Sequence, residues 1–364
     1  MATFAKSSFN AAIYAAARPT YSPKLFEYIH EYYKNQPLGS SARWDRAVDV
    51  GCGTGQAASH LDGVFKEVVC VDPSAGMLDK AREFLLNKPR STLGQASTRT
   101  SATDATANTK FTFAQGSAED IPSTQEGSVD LLIAAQACHW FDWQKVWPEA
   151  KRVLRPQGGV AAFWVYGESR LSSFPSLTPR ITEFWQGTDR GSTTSVGAYF
   201  QRPGRTVLER LLVDVPAPSA VLPGDVGLVD FQRLYFTDDK RDIPDISLTD
   251  APQIVHPTIM KVDWRWIDVL GYLRTSSALH SYHEAFPEDK KHSNDTRFLE
   301  RDLADIEVRG NEMVDPSMVG GGDIAVRFWK DLREGVQNEL GQGAGLFDKV
   351  MVEWPVAMLL VRRG

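Results

Sequence analysis

The sequence predicts an α/β fold built on a mostly parallel sheet. Two patterns carry this. Short β-branched or apolar runs recur through the first half of the chain, and segments of helical spacing alternate with them. Glycine or proline breaks separate several of these pieces, as in Arg155-Pro156-Gln157-Gly158-Gly159.

Residues 1–40 precede the first strand and carry Phe9, Ile13, Tyr14, Leu25, Phe26, Ile29, Tyr32 and Tyr33. That spacing predicts amphipathic helix, broken in two by Arg18-Pro19. Val48-Asp49-Val50 then predicts a strand that runs into Gly51-Cys52-Gly53-Thr54-Gly55-Gln56. A helix is expected next, then a second strand, Val68-Val69-Cys70-Val71, ending on Asp72.

Residues 87–110 are rich in Ser, Thr and Ala and hold almost no large apolar side chain, which predicts a flexible surface insertion. Phe111 to Gln115 reads as a third strand, followed by Gly116-Ser117-Ala118-Glu119-Asp120. Val129 to Ala135 is a near-continuous apolar run, the pattern of a buried parallel strand. Val146, Trp147, Ala150, Val153 and Leu154 lie at helical spacing in a helix expected from about Asp142 to Leu154. A fifth strand follows from Val160 to Val165.

Beyond residue 167 the pattern is weaker. It predicts a helix near 176–187, a strand over Leu228–Phe236 and one long helix from Trp264 to about Phe286. A loop with one helix is expected over 284–323, and a last strand over Val350–Val361. Pro355 removes a ladder donor, so it is placed at a strand start or a bulge. The resulting organisation is a helical cap over 1–40, an α/β core over 41–166, and a substrate-side helical region with closing strands over 167–364.

Composition sets limits. The chain has 364 residues, 42% hydrophobic and 24% charged, which is ordinary for a protein with a sizeable core. A net charge of −6 argues against a nucleic-acid partner. No apolar run reaches membrane-span length, and the N-terminus shows no signal-peptide core, so a cytoplasmic location is expected. Cys52, Cys70 and Cys138 show no metal or disulfide spacing, and no metal is expected.

The glycine run carries the chemistry. Glycines let a ligand approach main-chain N–H groups, and a carboxylate at the tip of the next strand is placed to accept two ribose hydroxyls. The segment is therefore read as a nucleoside site. A dinucleotide fingerprint requires glycine where Gln56 stands, which disfavours a nicotinamide dehydrogenase.

The run Asp49-Val50-Gly51-Cys52-Gly53-Thr54-Gly55, with Asp72, resembles motif I of the class I S-adenosylmethionine methyltransferases. Arg18-Pro19-Thr20-Tyr21, Gly116-Ser117-Ala118-Glu119-Asp120, His139-Trp140-Phe141-Asp142, Gly271 to Ala278 and Val352-Glu353-Trp354-Pro355 are similar to small-molecule enzymes of the trans-aconitate and fungal cantharidin methyltransferase type. The resemblance is dense from about residue 9 to 166 and patchy afterwards.

It implies a Rossmann-like fold with a seven-stranded, mostly parallel sheet and helices on both faces, an N-terminal helical cap over the cofactor cleft, and helical insertions in the C-terminal half. It also implies S-adenosylmethionine as cofactor and S-adenosylhomocysteine as product. The expected activity is methylation of a small organic acceptor at a carboxylate or hydroxyl, in secondary metabolism.

The implied cofactor residues are Tyr14, Arg18, Gly51, Cys52, Gly53, Gly55, Gln56, Asp72, Pro73, Met77, Ser117, Ala118, Glu119, Ala135 and Gln136. His139 is the candidate catalytic group, either a base or an orienter of an acidic substrate. Tyr21, His139, Trp140, Trp164 and Tyr166 are the substrate-side candidates. Structural roles compete at several positions: Asp72 also suits a helix start, Glu119 a polar turn, His139 a helix cap, and Trp140 a core aromatic. Two other readings stay open, a cyclase or isomerase on the same fold without net methyl transfer, and a non-catalytic S-adenosylmethionine-binding partner protein.

Overall fold

The computed structural model describes residues 19–36, 41–87, 109–224, 227–238, 253–309, 314–341 and 344–364. Tyr14, Arg18 and residues 88–108 of the expected insertion lie outside the described residues. Strands in chain order are β1 (Arg46–Val50), β2 (Glu67–Asp72), β3 (Lys110–Gln115), β4 (Leu131–Ala135), β5 (Val160–Tyr166), β6 (Arg170–Leu171), β7 (Leu228–Phe236), β8 (Gln253–His256), β9 (Lys261–Arg265), β10 (Lys349–Glu353) and β11 (Val356–Arg363). Helices are α1 (Pro23–Lys34), α2 (Ala75–Asn87), α3 (Trp143–Val153), α4 (Thr178–Gln186), α5 (Gly204–Glu209), α6 (Pro218–Val221), α7 (Trp266–Arg274), α8 (Ser277–Ala285), α9 (Leu299–Val308) and α10 (Ile324–Leu340). These elements fall into two compact units, Thr20–Gly167 with Pro203–Met260 and Pro355–Gly364, and Glu168–Arg202 with Lys261–Trp354.

The first unit is built on an eight-stranded sheet of order β3-β2-β1-β4-β5-β11-β7-β8. The first five strands in that order pair in parallel. β11 runs antiparallel to both β5 and β7. The seven strands implied by the resemblance are present, and β8 adds an eighth beside β7 in parallel. Strand order reverses between β1 and β4, where ligands of open α/β sheets bind at the C-terminal strand ends.

Side-chain alternation assigns the two faces of this sheet. Ala161, Phe163 and Val165 of β5 join one core cluster with Val146, Trp147, Ala150 and Val153 of α3. Trp164, between them in sequence, meets Phe26 of α1 edge-on, with ring centroids 5.6 Å apart. Asp142 caps α3 by accepting from the Gln144 N–H at 3.2 Å, which starts the helix where the sequence predicts.

Three local expectations are corrected. The helix expected after the glycine run is a short 3-10 turn, Ala58–Leu61. The Ser59 hydroxyl bonds back to the Gln56 carbonyl at 2.7 Å, and Gly63 follows at φ +72, so turns outcompete a regular helix there. The long helix expected from Trp264 is two helices, α7 and α8, broken at Thr275-Ser276. The Thr275 hydroxyl donates to the Tyr272 carbonyl at 2.6 Å and ends the first. The single last strand is two, because Trp354-Pro355 interrupts it and Pro355 stands just before β11.

The second unit holds a three-stranded sheet of order β6-β10-β9, antiparallel throughout. The long helix α10 carries Arg333, which is fully buried and pairs with Asp302 of α9 through two bonds of 2.6 and 2.7 Å. Among the described residues no helix is long and apolar enough to cross a membrane.

One buried carboxylate ties the non-ligand end of the sheet together. Asp130, 2% exposed, accepts from Arg155 Nε at 2.8 Å, Tyr33 Oη at 3.0 Å and the N–H groups of Asp45 and Arg46 at 2.9 and 3.1 Å. Its removal leaves a buried guanidinium without its counter-charge. Asp130→Ala is expected to lose about 3–5 kcal/mol of stability. Urea unfolding checks this, and an unchanged midpoint would refute it.

Candidate functional site

The ends of β1, β2 and β4 build the site from backbone outward. β1 delivers the chain into the glycine run at Val50. Gly51 and Cys52 both donate to the Val71 carbonyl, at 2.7 and 3.1 Å, which folds the run back over β2. Gly51 has φ +68, and a Cβ there would stand 2.5 Å from the Ala137 Cβ. That position therefore demands glycine twice over, by conformation and by space. Gly53 has φ +53, but a Cβ there would meet nothing within 4 Å. It is a left-handed residue bordering open space, which suits close approach by a ligand. Gly55 packs instead against Leu85 and Ala81 of α2.

Asp72 closes the run. It is 7% exposed, and its two oxygens accept from the Gly53 N–H at 2.9 Å and the Ser74 N–H at 2.8 Å. One carboxylate thus fixes the glycine loop and starts the turn into α2. Burial raises its pKa, against the pull of the two N–H groups. Each oxygen keeps a further lone pair with which to accept another hydrogen bond. Pro73 is exposed, and Met77 is half-buried in the first turn of α2. Cys52 is buried, with its Sγ 3.8 Å from the Gly53 carbonyl, and Gln56 is half-buried.

The loop after β3 is a tight turn in which Ser117 and Asp120 exchange backbone bonds of 3.3 and 3.4 Å. Gly116 N–H reaches the Asp72 carbonyl at 3.3 Å, so this turn sits against the tip of β2. Ala118 is buried in the core cluster. Glu119 accepts from the Asp142 N–H at 3.0 Å, which joins the turn to the start of α3.

β4 ends at Ala135, and Gln136 leaves the strand at φ +57. The 3-10 turn Cys138–Trp140 follows. His139 is half-buried, and its Nδ1 is sealed from solvent without a hydrogen-bond partner. Desolvation, with the Arg205 charge adding, lowers the His139 pKa to about 3, so the imidazole is neutral at ordinary pH. Trp140 is 42% exposed, and its ring lies over Gly204 at the start of α5, where a Cβ would collide with it. Arg205, next in that helix, pairs with Glu209 at 3.0 Å.

Tyr21, Trp164 and Tyr166 come together as an aromatic group, with centroids 5.7 Å apart for Tyr21–Trp164 and 6.4 Å for Tyr21–Tyr166. All three are buried, Trp164 completely, and the Trp164 Nε1 has no hydrogen-bond partner.

The sequence reading passed over two residues near these loops. Asp49 is fully buried within β1, and neither of its oxygens has a partner in ordinary hydrogen-bond geometry. Burial pushes its pKa up to about 8, opposed by the Ala58 N–H and raised further by Asp72. Its signal was an acid inside an apolar strand. Arg205 gave no local signal, because only the fold brings it to His139.

Residues 48–162 match the family described as "Methyltransferase domain". The chain is 30% identical over 173 residues to CRG1 of Saccharomyces cerevisiae, assigned as an S-adenosylmethionine-dependent methyltransferase, covering 48% of this chain and 51% of that one. It is 35% identical over 164 residues to the methyltransferase pgmE of Aspergillus terreus, covering 44% and 42%. The chain spans about half the length of the curated relatives it matches. A solved protein from Anaeromyxobacter dehalogenans, assigned as a type II methyltransferase, aligns with a TM-score of 0.51 at 21% identity, over 95% of this chain and 97% of that one. At that identity the likeness establishes the fold.

Two outcomes follow from this geometry. Asp72→Ala removes a charged acceptor of the kind that contributes about 1.5–3 kcal/mol, so S-adenosylhomocysteine affinity is expected to fall roughly tenfold to a hundredfold. Unchanged affinity in calorimetry would refute the role. Asp49 stays protonated when folded up to about pH 8 and ionises in the unfolded chain near the ordinary carboxylate value. The unfolded state then binds fewer protons, so this group's effect is to lower stability as pH rises across that window. Asp49→Asn is expected to gain on the parent by at most roughly 1.4 kcal/mol per pH unit there. Paired unfolding curves from pH 4.5 to 8 measure it, and a constant difference would refute it.

Proposed function

We propose that this chain, whose residues 48–162 match the methyltransferase-domain family, uses S-adenosylmethionine to methylate a small organic acceptor at a carboxylate or hydroxyl oxygen. The observation that carries this is the Asp72 clamp on Gly53 beside open space, with His139 and Trp140 on the neighbouring strand end. The bound cofactor supplies a methyl group on a sulfonium, already activated for transfer.

The chain's own task is to bind, orient and exclude water. Gly51, Gly53 and Gly55 shape the loop, and Asp72 accepts the ribose hydroxyls. The Ala118 backbone, with Ser117 and Glu119, lies at the adenine end, and the backbone of Ala135 and Gln136 at the methionine end. The indole of Trp140 offers a π-face to a cation. Tyr21, Trp164 and Tyr166 back the acceptor side.

The state of His139 distinguishes the two acceptor classes. An imidazole lowered to about 3 is a weak base and a neutral hydrogen-bonding group. A carboxylate acceptor is ionised already and needs no base, so it fits this histidine better than an alcohol does. The test is a panel of small acids and alcohols with methyl-labelled cofactor, repeated with His139→Ala. With a carboxylate acceptor, turnover is expected to stay within about tenfold of the parent. Loss of about 10²–10⁴, the usual worth of general-base catalysis, would contradict the carboxylate reading.

A further inference from the structure

In a parallel ladder, one residue of a strand bonds to two residues of its neighbour, one on each side of its Cα partner. Trp164 is the partner of Ala135, and its carbonyl duly accepts from the Gln136 N–H at 2.9 Å. Continued for one more rung, the ladder would give the Tyr166 N–H the carbonyl of residue 136. It would give the Tyr166 carbonyl the N–H of residue 138. The main chain does not continue. Gln136 turns away at φ +57, a conformation uncommon for a residue with a Cβ. Its side-chain amide fills both vacated places instead. Gln136 Oε1 accepts from the Tyr166 N–H at 2.8 Å, and Nε2 donates to the Tyr166 carbonyl at 3.0 Å. A backbone N–H only donates and a carbonyl only accepts, so this pair also fixes which end of the amide is which.

The amide therefore completes the sheet while freeing residues 137 to 140 to leave it. What leaves is the turn that bears His139. Ala137 then seats against Gly51, where a Cβ would be 2.5 Å away, and the Trp140 ring seats over Gly204. Ala137, Cys138 and Trp140 anchor the turn by packing, and Gln136 stands where it departs from β4.

We propose that Gln136 is a positioning residue, whose side chain substitutes for two rungs of the β4–β5 ladder and thereby sets the placement of His139 at the site. This deepens the reading of His139 as an acceptor-side group and rests on it. A charged neighbour that lowers the His139 pKa is Arg205, which pairs with Glu209 of the same helix.

The test is the imidazole spectrum of His139 followed by heteronuclear NMR over pH, with the signal assigned by its loss in His139→Ala. Two variants separate the clamp from the backbone turn. Gln136→Leu removes both side-chain bonds. Gln136→Gly removes them but adopts positive φ freely. In the parent, His139 is expected to stay neutral down to the lowest pH at which the fold persists. In both variants its titration is expected to move up by about one pH unit or more, toward the ordinary histidine value, with cooperative melting retained. A His139 titration and shift identical to the parent in a folded variant would overturn the proposal and leave the amide a purely structural tie. If Gln136→Leu does not fold, Gln136→Gly decides the matter by the same criterion. Titration of the parent with S-adenosylhomocysteine runs alongside. Absence of binding there would count against the methyltransferase reading, while the NMR result would still judge the clamp.

Discussion

The site depends on one carboxylate. Asp72 stands at the tip of β2 and holds the Gly53 N–H with one oxygen and the Ser74 N–H with the other. The bonds of Gly51 and Cys52 to the Val71 carbonyl tie the glycine loop to the same strand. The β3 turn reaches the same residue, through the bond from Gly116 N–H to its carbonyl. Three loops thus refer their positions to a single residue. Charge-assisted bonds of this kind are about twice as strong as neutral ones, which suits a group that must stay fixed when a ligand arrives.

The strand order explains why the other half of the site lies beside it. β1 is flanked by β2 on one side and β4 on the other, so the loops after β1 and β4 leave the same edge in contact. Gly51 and Ala137 are the point of contact, and the lack of a side chain at Gly51 makes it possible. On one side of that contact is the glycine loop held by Asp72. On the other is a histidine kept neutral by burial and by a neighbouring guanidinium. A neutral imidazole beside a clamped glycine loop fits the proposed reaction, in which the donor is pre-activated and little proton transfer is required.

Much of this was legible in the sequence where the cause is local. The strand over Leu228–Phe236 and the α3 helix follow from periodicity and capping, and the structure has them at or within a residue of those positions. The glycine run and Asp72 are a short-range pattern, readable without the fold. What was not legible depends on partners far away or on competition between near-equal local states. The double role of Gln136 needs Tyr166, thirty residues on, to give its amide a purpose. Arg205 acts on His139 through space, and α5, which carries it, packs on Trp140. Near Gln56 and at Thr275, hydroxyl groups bonding back to carbonyls shifted the balance from helix to turn, an effect that hydrophobic spacing does not register. Val350 to Val361 looked continuous because both halves are apolar, although only the proline marks where one sheet's strand ends and another's begins.

The most direct test of the account is isothermal titration of the purified protein with S-adenosylhomocysteine and, separately, with NAD. The account predicts binding of S-adenosylhomocysteine in the micromolar range and none of NAD, since Gln56 stands where a dinucleotide loop needs glycine. Binding of NAD alone, or of neither compound, would contradict it, and the clamped glycine loop would then be a structural turn or serve a different nucleotide.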